Sequence, residues 1–431
     1  MQAAASVTLA ALLWPLIVRP RSSRGRCNAR IGGCRVGRDG ARPAGAVCAA
    51  GAVTLGVEEE FVLLDPATGA PVLAAPGLVR MVGGEPGVRQ ELMRFQVETA
   101  TGVCTSLDQA GRELVWLRRL AAEAAARLGC RLVACGVAPY GTPGLAAVTP
   151  LPRYQELARR YGPVLARAGT CACHVHVGVP SRDLGVQVLA RLRPWLAPLL
   201  AITANSAIAG GRDTGWASWR HVLWSRWPTA TPPEAWPDAA AYDAAIRRLV
   251  GQGAALDERN VYFLARLSPR YPTVEVRVAD VCLDAGTAVL AAGLTRALVA
   301  TALAEARRGA SAAAAPARQV AVSLAAAARH GLAGPGADPV TGQLVDAAAL
   351  RARLLEHVYP ALREHGDTET ITGLLGRLEE RGTGADRQRA LLASGLSTPA
   401  VITALARATL SGSEPGRQRP GAGVLAMAGA R

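Results

Sequence analysis

The chain has 431 residues, half of them hydrophobic, enough to bury a large core in one domain or two. All 48 basic residues are arginine, and +7 of the formal net charge of +15 falls in residues 1–50, where eight arginines face Asp39 alone. The rest is scattered, without the compact basic run or RNA-binding aromatic motif of a nucleic-acid partner, so that class is set aside. Ala3 to Val18 is a largely apolar run of 16 residues, short for a membrane helix, and its arginines follow it instead of preceding it. Residues 1–53 therefore read as an N-terminal extension, disordered or non-native, and membrane association is not expected. Nine cysteines, odd in number and without a CxxC, read as reduced, buried thiols of a cytoplasmic protein.

The organised part begins with Val57-Glu-Glu-Glu-Phe-Val-Leu-Leu64, a strand by pattern, closed by the turn Asp65-Pro-Ala-Thr-Gly69. Alternation sets Glu58 and Glu60 on one face and Glu59, Phe61 and Leu63 on the other. Two carboxylates on one face, roughly 6.5–7 Å apart along the strand, suit a divalent metal. Arg94 to Thr99 alternates in the same way, with Glu98 on its polar face. A helix is expected over about 107–128, with Ser106 and Gln109 in a capping-box pattern and Gly129 ending it. Arg131 to Gly136 reads as a buried strand and 153–168 as a helix.

Gly169 to Gly178 follows as a strand with Val175 and Val177 on one face and His174 and His176 on the other. A helix over about 183–207 leads into a long segment, 208–237, holding five of the eight tryptophans with Arg220, His221 and four prolines interleaved. A loop of that length reads as a lid or binding loop, or as an aromatic cluster packed on the sheet. A helix at 238–251 precedes two strands, 260–266 and 273–279. The second sets valines on one face and Glu275 with Arg277 on the other. Asp284 caps a long Ala/Leu helix to about Arg308, 309–317 is a linker, and the pattern from there to about Thr409 is helical. The organisation expected is one catalytic domain over 54–410, sheet-bearing through 308 and helical over 317–410, with a disordered tail from 411 to 431.

Four strands thus share an apolar face and a polar face bearing Glu58 and Glu60, Glu98, His174 and His176, and Glu275 with Arg277. They describe a sheet packed under helices on one side and serving as a polar floor on the other. Carboxylates with imidazole favour Mg²⁺ or Mn²⁺ over a thiolate zinc site. Several such ions beside an arginine suit phosphoryl transfer from ATP, here without a phosphate-binding glycine loop. The same floor could also serve a metal-dependent hydrolase working without nucleotide. A non-catalytic binding module leaves the shared pattern unexplained.

Five ordered motifs carry a resemblance: Gly56-Val-Glu-Glu-Glu-Phe61, Glu91-Leu with Gln96 to Thr101, His174 to Gly178, Asp213 to Arg220, and Thr273 to Asp280. Over roughly 54–410 the chain resembles the carboxylate–amine ligase, glutamate–cysteine ligase type 2 family of actinobacteria and proteobacteria. The resemblance implies an α+β, glutamine synthetase-like catalytic fold, a curved antiparallel sheet flanked by helices. It implies ATP-dependent phosphorylation of the γ-carboxylate of glutamate, then displacement of phosphate by the amino group of cysteine, and it suggests a homodimer. A different amine substrate remains open. Carried over residue by residue, Glu58, Glu60, Glu98, His174 and Glu275 would hold metal ions. Arg277 would stabilise the transferring phosphoryl group, with Glu275 beside it in the catalytic pair. His176 would lie near the nucleotide phosphates, and Ser218 and Arg220 would contact the substrate carboxylate. Leu264, where relatives often have an acidic residue, and His221, where a small polar residue is usual, depart from the pattern.

Overall fold

The computed structural model describes residues 53–412, with residues 168, 314 and 340 excepted; the N-terminal extension and nearly all of the C-terminal tail lie outside the described residues. In chain order the first elements are β1 (Leu55–Leu64), α1 (Ala75–Met81), β2 (Val88–Gln90), β3 (Gln96–Ala100), α2 (Leu107–Arg127), β4 (Arg131–Val133), α3 (Pro152–Leu165) and β5 (Ala172–Gly178). The middle holds α4 (Arg182–Leu192), α5 (Leu196–Thr203), the short pair β6 (Ile208–Ala209) and β7 (Arg212–Asp213), α6 (Trp219–Trp224) and α7 (Ala239–Gly251). Then come β8 (Ala265–Leu267), β9 (Thr273–Asp280), α8 (Ala285–Arg307) and α9 (Ala317–His330). The pair β10 (Gly336–Ala337) and β11 (Leu344–Val345) precedes α10 (Ala347–Glu364), α11 (Thr368–Arg381), α12 (Gly384–Ala393) and α13 (Thr398–Thr409).

One seven-stranded sheet organises these elements. Its order is β2-β3-β1-β5-β9-β8, every pairing is antiparallel, and β4 adds to the far end of β1. β1 is central because its first half pairs with β5 and its second half with β4, while β3 runs along the other edge. The fold class is α+β, as expected.

The helices cover one face of the sheet. Leu55, Val57, Cys173, Val175, Val177, Val274, Val276 and Val278 join a core with residues of α2, α4, α5 and α8. Strand alternation makes that face apolar, and burying its branched side chains contributes roughly 1.5–3 kcal/mol each. α8 is apolar all round because it packs on β5 and on α2, α4, α10 and α11 together. Among the described residues it is the one helix long and apolar enough to cross a membrane, and it is mostly buried inside the protein. Gly293 lets it approach so closely: a Cβ there would stand 2.4 Å from Ile371 of α11 and 2.7 Å from Leu107 of α2.

A charged pair lies within this packed side. Glu59 is fully buried, and Arg118 of α2 meets it with two hydrogen bonds, Nη2 to Oε1 at 2.6 Å and Nε to Oε2 at 2.8 Å. The same guanidinium donates to the carbonyls of Cys282 and Thr409 at 2.8 Å each, fastening the end of α13 to the strand end after β9.

Local signals account for most boundaries. Ser106 accepts from Gln109 N at the start of α2, while the Gln109 side chain reaches Thr105 N instead of the Ser106 backbone. The helix expected over 183–207 is divided by a short 3-10 turn at Arg193–Trp195 that Pro194 opens. The stretch expected to be helical from 317 to about Thr409 is interrupted by the β10–β11 hairpin, which Gly342 N closes by donating to Asp338 O at 2.8 Å.

Candidate active site

The face of the sheet opposite the helices carries the polar side chains in register. Glu60 stands opposite Glu98, Glu58 opposite His174, and His176 opposite Glu275, which is flanked on its other side by Arg266 of β8. All of them line a cavity of about 370 Å³, within the range of small-molecule sites. Its walls come from Glu91 before β3, Arg153 and Tyr154 of α3, and Arg220 and Trp224 of α6.

At the centre, Glu58, His176 and Glu275 each offer one ligand atom, and these atoms lie within 4.8 Å of one another. His176 Nδ1 is 2.9 Å from Thr273 Oγ1, while its buried Nε2 faces Glu58 Oε1 at 3.5 Å and has no hydrogen-bond partner among the described residues. The Thr273 hydroxyl, which can donate or accept, fixes the orientation of the ring; burial opposes charge on His176 but Glu58 outweighs it and raises the group, so a cation at Nε2 must displace a proton. Two carboxylates and a free imidazole nitrogen form a donor set that fits Mg²⁺ or Mn²⁺. Burial pushes Glu58 upward, but His176 and His174 outweigh it and hold that carboxylate well below its ordinary range. Burial likewise opposes ionisation of Glu275, and Arg266 and Arg277 overcome it, keeping the group charged. Burial, with Arg277, pushes His174 down to about 4, so it is neutral at pH 7.

A second acidic group lies across β1 and β3. Burial, reinforced by Glu91, raises Glu60 to about 8 even though its Oε2 accepts from Ala172 N at 2.7 Å. Burial together with Glu58 and Glu91 lifts Glu98 well above its usual range, and Glu91 is raised chiefly by burial. Tyr154 donates to Glu91 Oε2 at 3.2 Å. Carboxylates crowded this way hold protons until a cation takes their place.

Three buried arginines complete the floor. Arg266 donates to both oxygens of Glu275, at 2.8 and 3.2 Å, and to the carbonyls of Val261 and Arg259. Arg220 donates to the carbonyls of Val278 and Arg277 at 3.2 Å each. Arg277 pairs with Glu275 Oε1 and stands 5.9 Å from the centre of the Tyr262 ring.

The structure brings Glu58, Glu60, Glu98, His174, His176, Arg220, Glu275 and Arg277 to one cavity, as the polar strand faces imply. It departs from the sequence reading in particular places. Ser218 does not line the cavity: its hydroxyl donates to Asp280 Oδ1 at 2.8 Å and accepts from His221 N as the cap of α6. Its hydroxyl is committed to those two partners. His174 meets Glu58 at 3.3 Å through Nδ1, and His176, expected near the nucleotide phosphates, is the imidazole of the three-atom group. Leu264 is buried in the core under the sheet, so a side chain there would not reach the cavity. His221 is outside the lining as well. The tryptophan-rich segment is largely structural. Trp224 and Trp227 pack with Tyr262, and Trp236 packs with Tyr242 and Phe263, while Trp224 of the five lines the cavity.

Glu91 and Arg266 are site residues that the sequence reading left without a role. Arg266 could have been found from the turn Ser268-Pro-Arg-Tyr-Pro272, since a hairpin folded there sets Arg266 opposite Glu275.

Comparison with known proteins fits this geometry. The profile of Glutamate-cysteine ligase family 2 matches residues 54–408. The chain belongs to that family. It is similar to a protein of Nocardia farcinica named as a candidate glutamate–cysteine ligase 2-1, with 44% identity over 374 residues covering 86% of this chain and 97% of that one. A counterpart of the same name from Saccharopolyspora erythraea is 44% identical over 342 residues, covering 78% and 89% of the two chains. Among solved structures, a bifunctional glutathione synthetase from Pasteurella multocida aligns with a TM-score of 0.61 and 16% identity over 84% of this chain; the chain spans 52% of that protein's length. The glutamate–cysteine ligase of Francisella tularensis, solved in complex with AMP, aligns with a TM-score of 0.57 and 15% identity, covering 83% and 88%. The fold is thus that of the glutamate–cysteine ligases, and the protein is an enzyme of the carboxylate–amine ligase type.

Proposed function

We propose that this enzyme uses ATP to join the γ-carboxylate of L-glutamate to the amino group of L-cysteine through γ-glutamyl phosphate, giving γ-glutamylcysteine, ADP and phosphate. The observation that carries the reading is the group Glu58, His176 and Glu275 beside Arg277, on the floor of a cavity lined by acids and by arginines together. A carboxylate and an amine do not condense in water unaided, so one carboxylate oxygen must first become a leaving group. Mg²⁺ or Mn²⁺, when bound, neutralises phosphate charge as the phosphoryl group moves.

Glu58, His176 and Glu275 would hold one such ion, Glu60 and Glu98 would contribute to another, and His174 would orient Glu58. Arg277 would meet the transferring phosphoryl oxygens, because its Nε is buried and unpartnered at the cavity. Arg220, fixed by two strand carbonyls, would present the same spare Nε to the carboxylate of the amino-acid substrate. The cavity walls would keep water from the acyl phosphate. The six described cysteines are buried and unbridged, which suits a reducing cytoplasm and leaves them outside the chemistry.

The test is ADP release from protein started near Ala52. It should require both glutamate and cysteine, and Glu275→Gln should abolish it. Release that continues unchanged in that variant would overturn the assignment of the site. Release with glutamate and an amine other than cysteine would keep the mechanism and change the substrate.

A further inference from the structure

We infer that Asp280, which does not line the cavity, is a positioning residue for substrate binding: it sets the start of α6 and holds the Arg220 guanidinium in the orientation that meets the glutamate carboxylate. This rests on the reading of Arg220 given above and adds to it a residue that touches no reactant.

Asp280 ends β9, and alternation turns it away from the face that carries Glu275 and Arg277. It is fully buried, and both of its oxygens are engaged. Oδ2 accepts from Ser206 Oγ at 2.7 Å and from Asn205 N at 2.9 Å. Oδ1 accepts from Ser218 Oγ at 2.8 Å and faces Arg220 Nη1 at 3.8 Å. A buried carboxylate satisfied this fully has one place to stand. Its neighbours are held in turn. Gln388 of α12 donates to the carbonyl and side-chain oxygens of Asn205 at 2.8 Å each. Gly136 leaves room for the carboxylate, since a Cβ there would stand 3.0 Å from it.

Two links run from Asp280 to Arg220. Through the main chain, the Ser206 hydroxyl that donates to Asp280 accepts from Arg220 N at 2.9 Å, which sets the first turn of α6. Ser218 makes the neighbouring link, to His221 N, and caps the helix without holding Arg220 itself. Through the side chain, Asp280 is the main counter-charge of a buried guanidinium. Burial lowers Arg220 below the ordinary arginine range; Asp280 opposes burial most and Glu60 less, while Arg277 acts with burial against the charge. The other partners of the Arg220 guanidinium are the carbonyls of Val278 and Arg277, at 3.2 Å each, long for a charged donor. Neutralising Asp280 would leave the guanidinium on those two bonds and free to swing toward Glu60 on the cavity side. Its unpartnered Nε would then no longer be held where the substrate carboxylate meets it.

The experiment is a double-mutant cycle in steady-state ADP release by the full chain, with Asp280→Asn, Arg220→Ala and the two together. Asparagine keeps the size of the side chain and removes its charge. Asp280→Asn should raise the KM for glutamate about tenfold and leave kcat and the KM for ATP near wild type. Arg220→Ala should raise the KM for glutamate at least as far, and the double variant should match Arg220→Ala alone, because Asp280 acts through Arg220. Rises that multiply in the double variant would mean two separate roles and overturn the inference. So would an unchanged KM for glutamate in Asp280→Asn, or equal disturbance of both KM values and kcat. Thermal melting reports whether Asp280→Asn folds. If it does not, Ser206→Ala, which cuts the link to Arg220 N, takes its place in the cycle with the same outcomes. A wild-type KM for glutamate in Arg220→Ala would remove Arg220 from the substrate, and the inference with it. Wild-type ADP release that needs no glutamate would overturn the ligase reading itself.

Discussion

Glu58, Glu59 and Glu60 are consecutive in one strand and meet two different environments. Glu59 points into the packed side, where Arg118 satisfies both carboxylate oxygens and is itself bound by backbone carbonyls. Glu58 and Glu60 point to the cavity, where partners are incomplete. Glu58 has imidazoles at 3.3 and 3.5 Å, and Glu60 accepts from one backbone N–H while other carboxylates crowd it. The difference separates a charge kept for the fold from charges kept for a ligand. Burial alone does not make the distinction, since Glu59 is 0% and Glu60 7% exposed. What distinguishes them is whether the protein itself completes their hydrogen bonds.

Breaking the two sides should have opposite consequences. The largest effect expected is on turnover: Glu98→Gln should lower ADP release by on the order of 10³-fold while the urea midpoint changes little, because burial and neighbouring carboxylates already raise that group well above its ordinary range in the metal-free fold. A comparable loss of stability in that variant would erase the contrast. Arg118→Ala should do the reverse, removing about 3–5 kcal/mol of stability by stranding Glu59, as read from urea unfolding. If Arg118→Ala unfolds at the wild-type midpoint, the packed pair is not structural.

Proton linkage sharpens the contrast further. Glu60 is raised from 4.5 to about 8 in the metal-free fold, so its burial weighs against stability progressively as pH rises between those values, where the unfolded chain has already lost the proton. Glu60→Gln should therefore gain stability relative to wild type from pH 5 to pH 8 without divalent cation. The same proton must leave for a cation to bind, so Mn²⁺ affinity should climb with pH up to about 8 and flatten above it. Melting curves of the two proteins at several pH values, with and without Mn²⁺, check both signs. Parallel curves would remove Glu60 from the ligand set. The smallest effect expected is that of Ser218→Ala, which should cost about 1–2 kcal/mol through the lost cap of α6 and leave the KM for glutamate near wild type. A large rise in that KM would return Ser218 to the substrate site.

The polar floor was legible because strands alternate strictly and the chain spaces its acids and histidines to match. β1, β5 and β9 therefore appear in the sequence with the correct faces turned to the cavity. Arg266 was missed because the strand was read over 260–266, whereas pairing covers only Ala265–Leu267 and the role of its last arginine depends on a partner across the hairpin. Glu91 sits just outside β2 and β3, in a segment with no period to read. Ser218 and Arg220 are two residues apart in one motif, yet the start of a helix turns one toward Asp280 and the other toward the cavity. The roles of His174 and His176 could not be divided by alternation, which places both on the same face. What divides them is Thr273, a neighbour supplied by the sheet.

The most direct test of the contrast between the two faces is anomalous diffraction from crystals grown with Mn²⁺ and a non-hydrolysable ATP analogue. The expected result is an ion within about 2.5 Å of Glu58, His176 Nε2 and Glu275, with Glu59 still closed on Arg118. An ion bound elsewhere, with Glu58 and Glu275 still turned to their present partners, would contradict it.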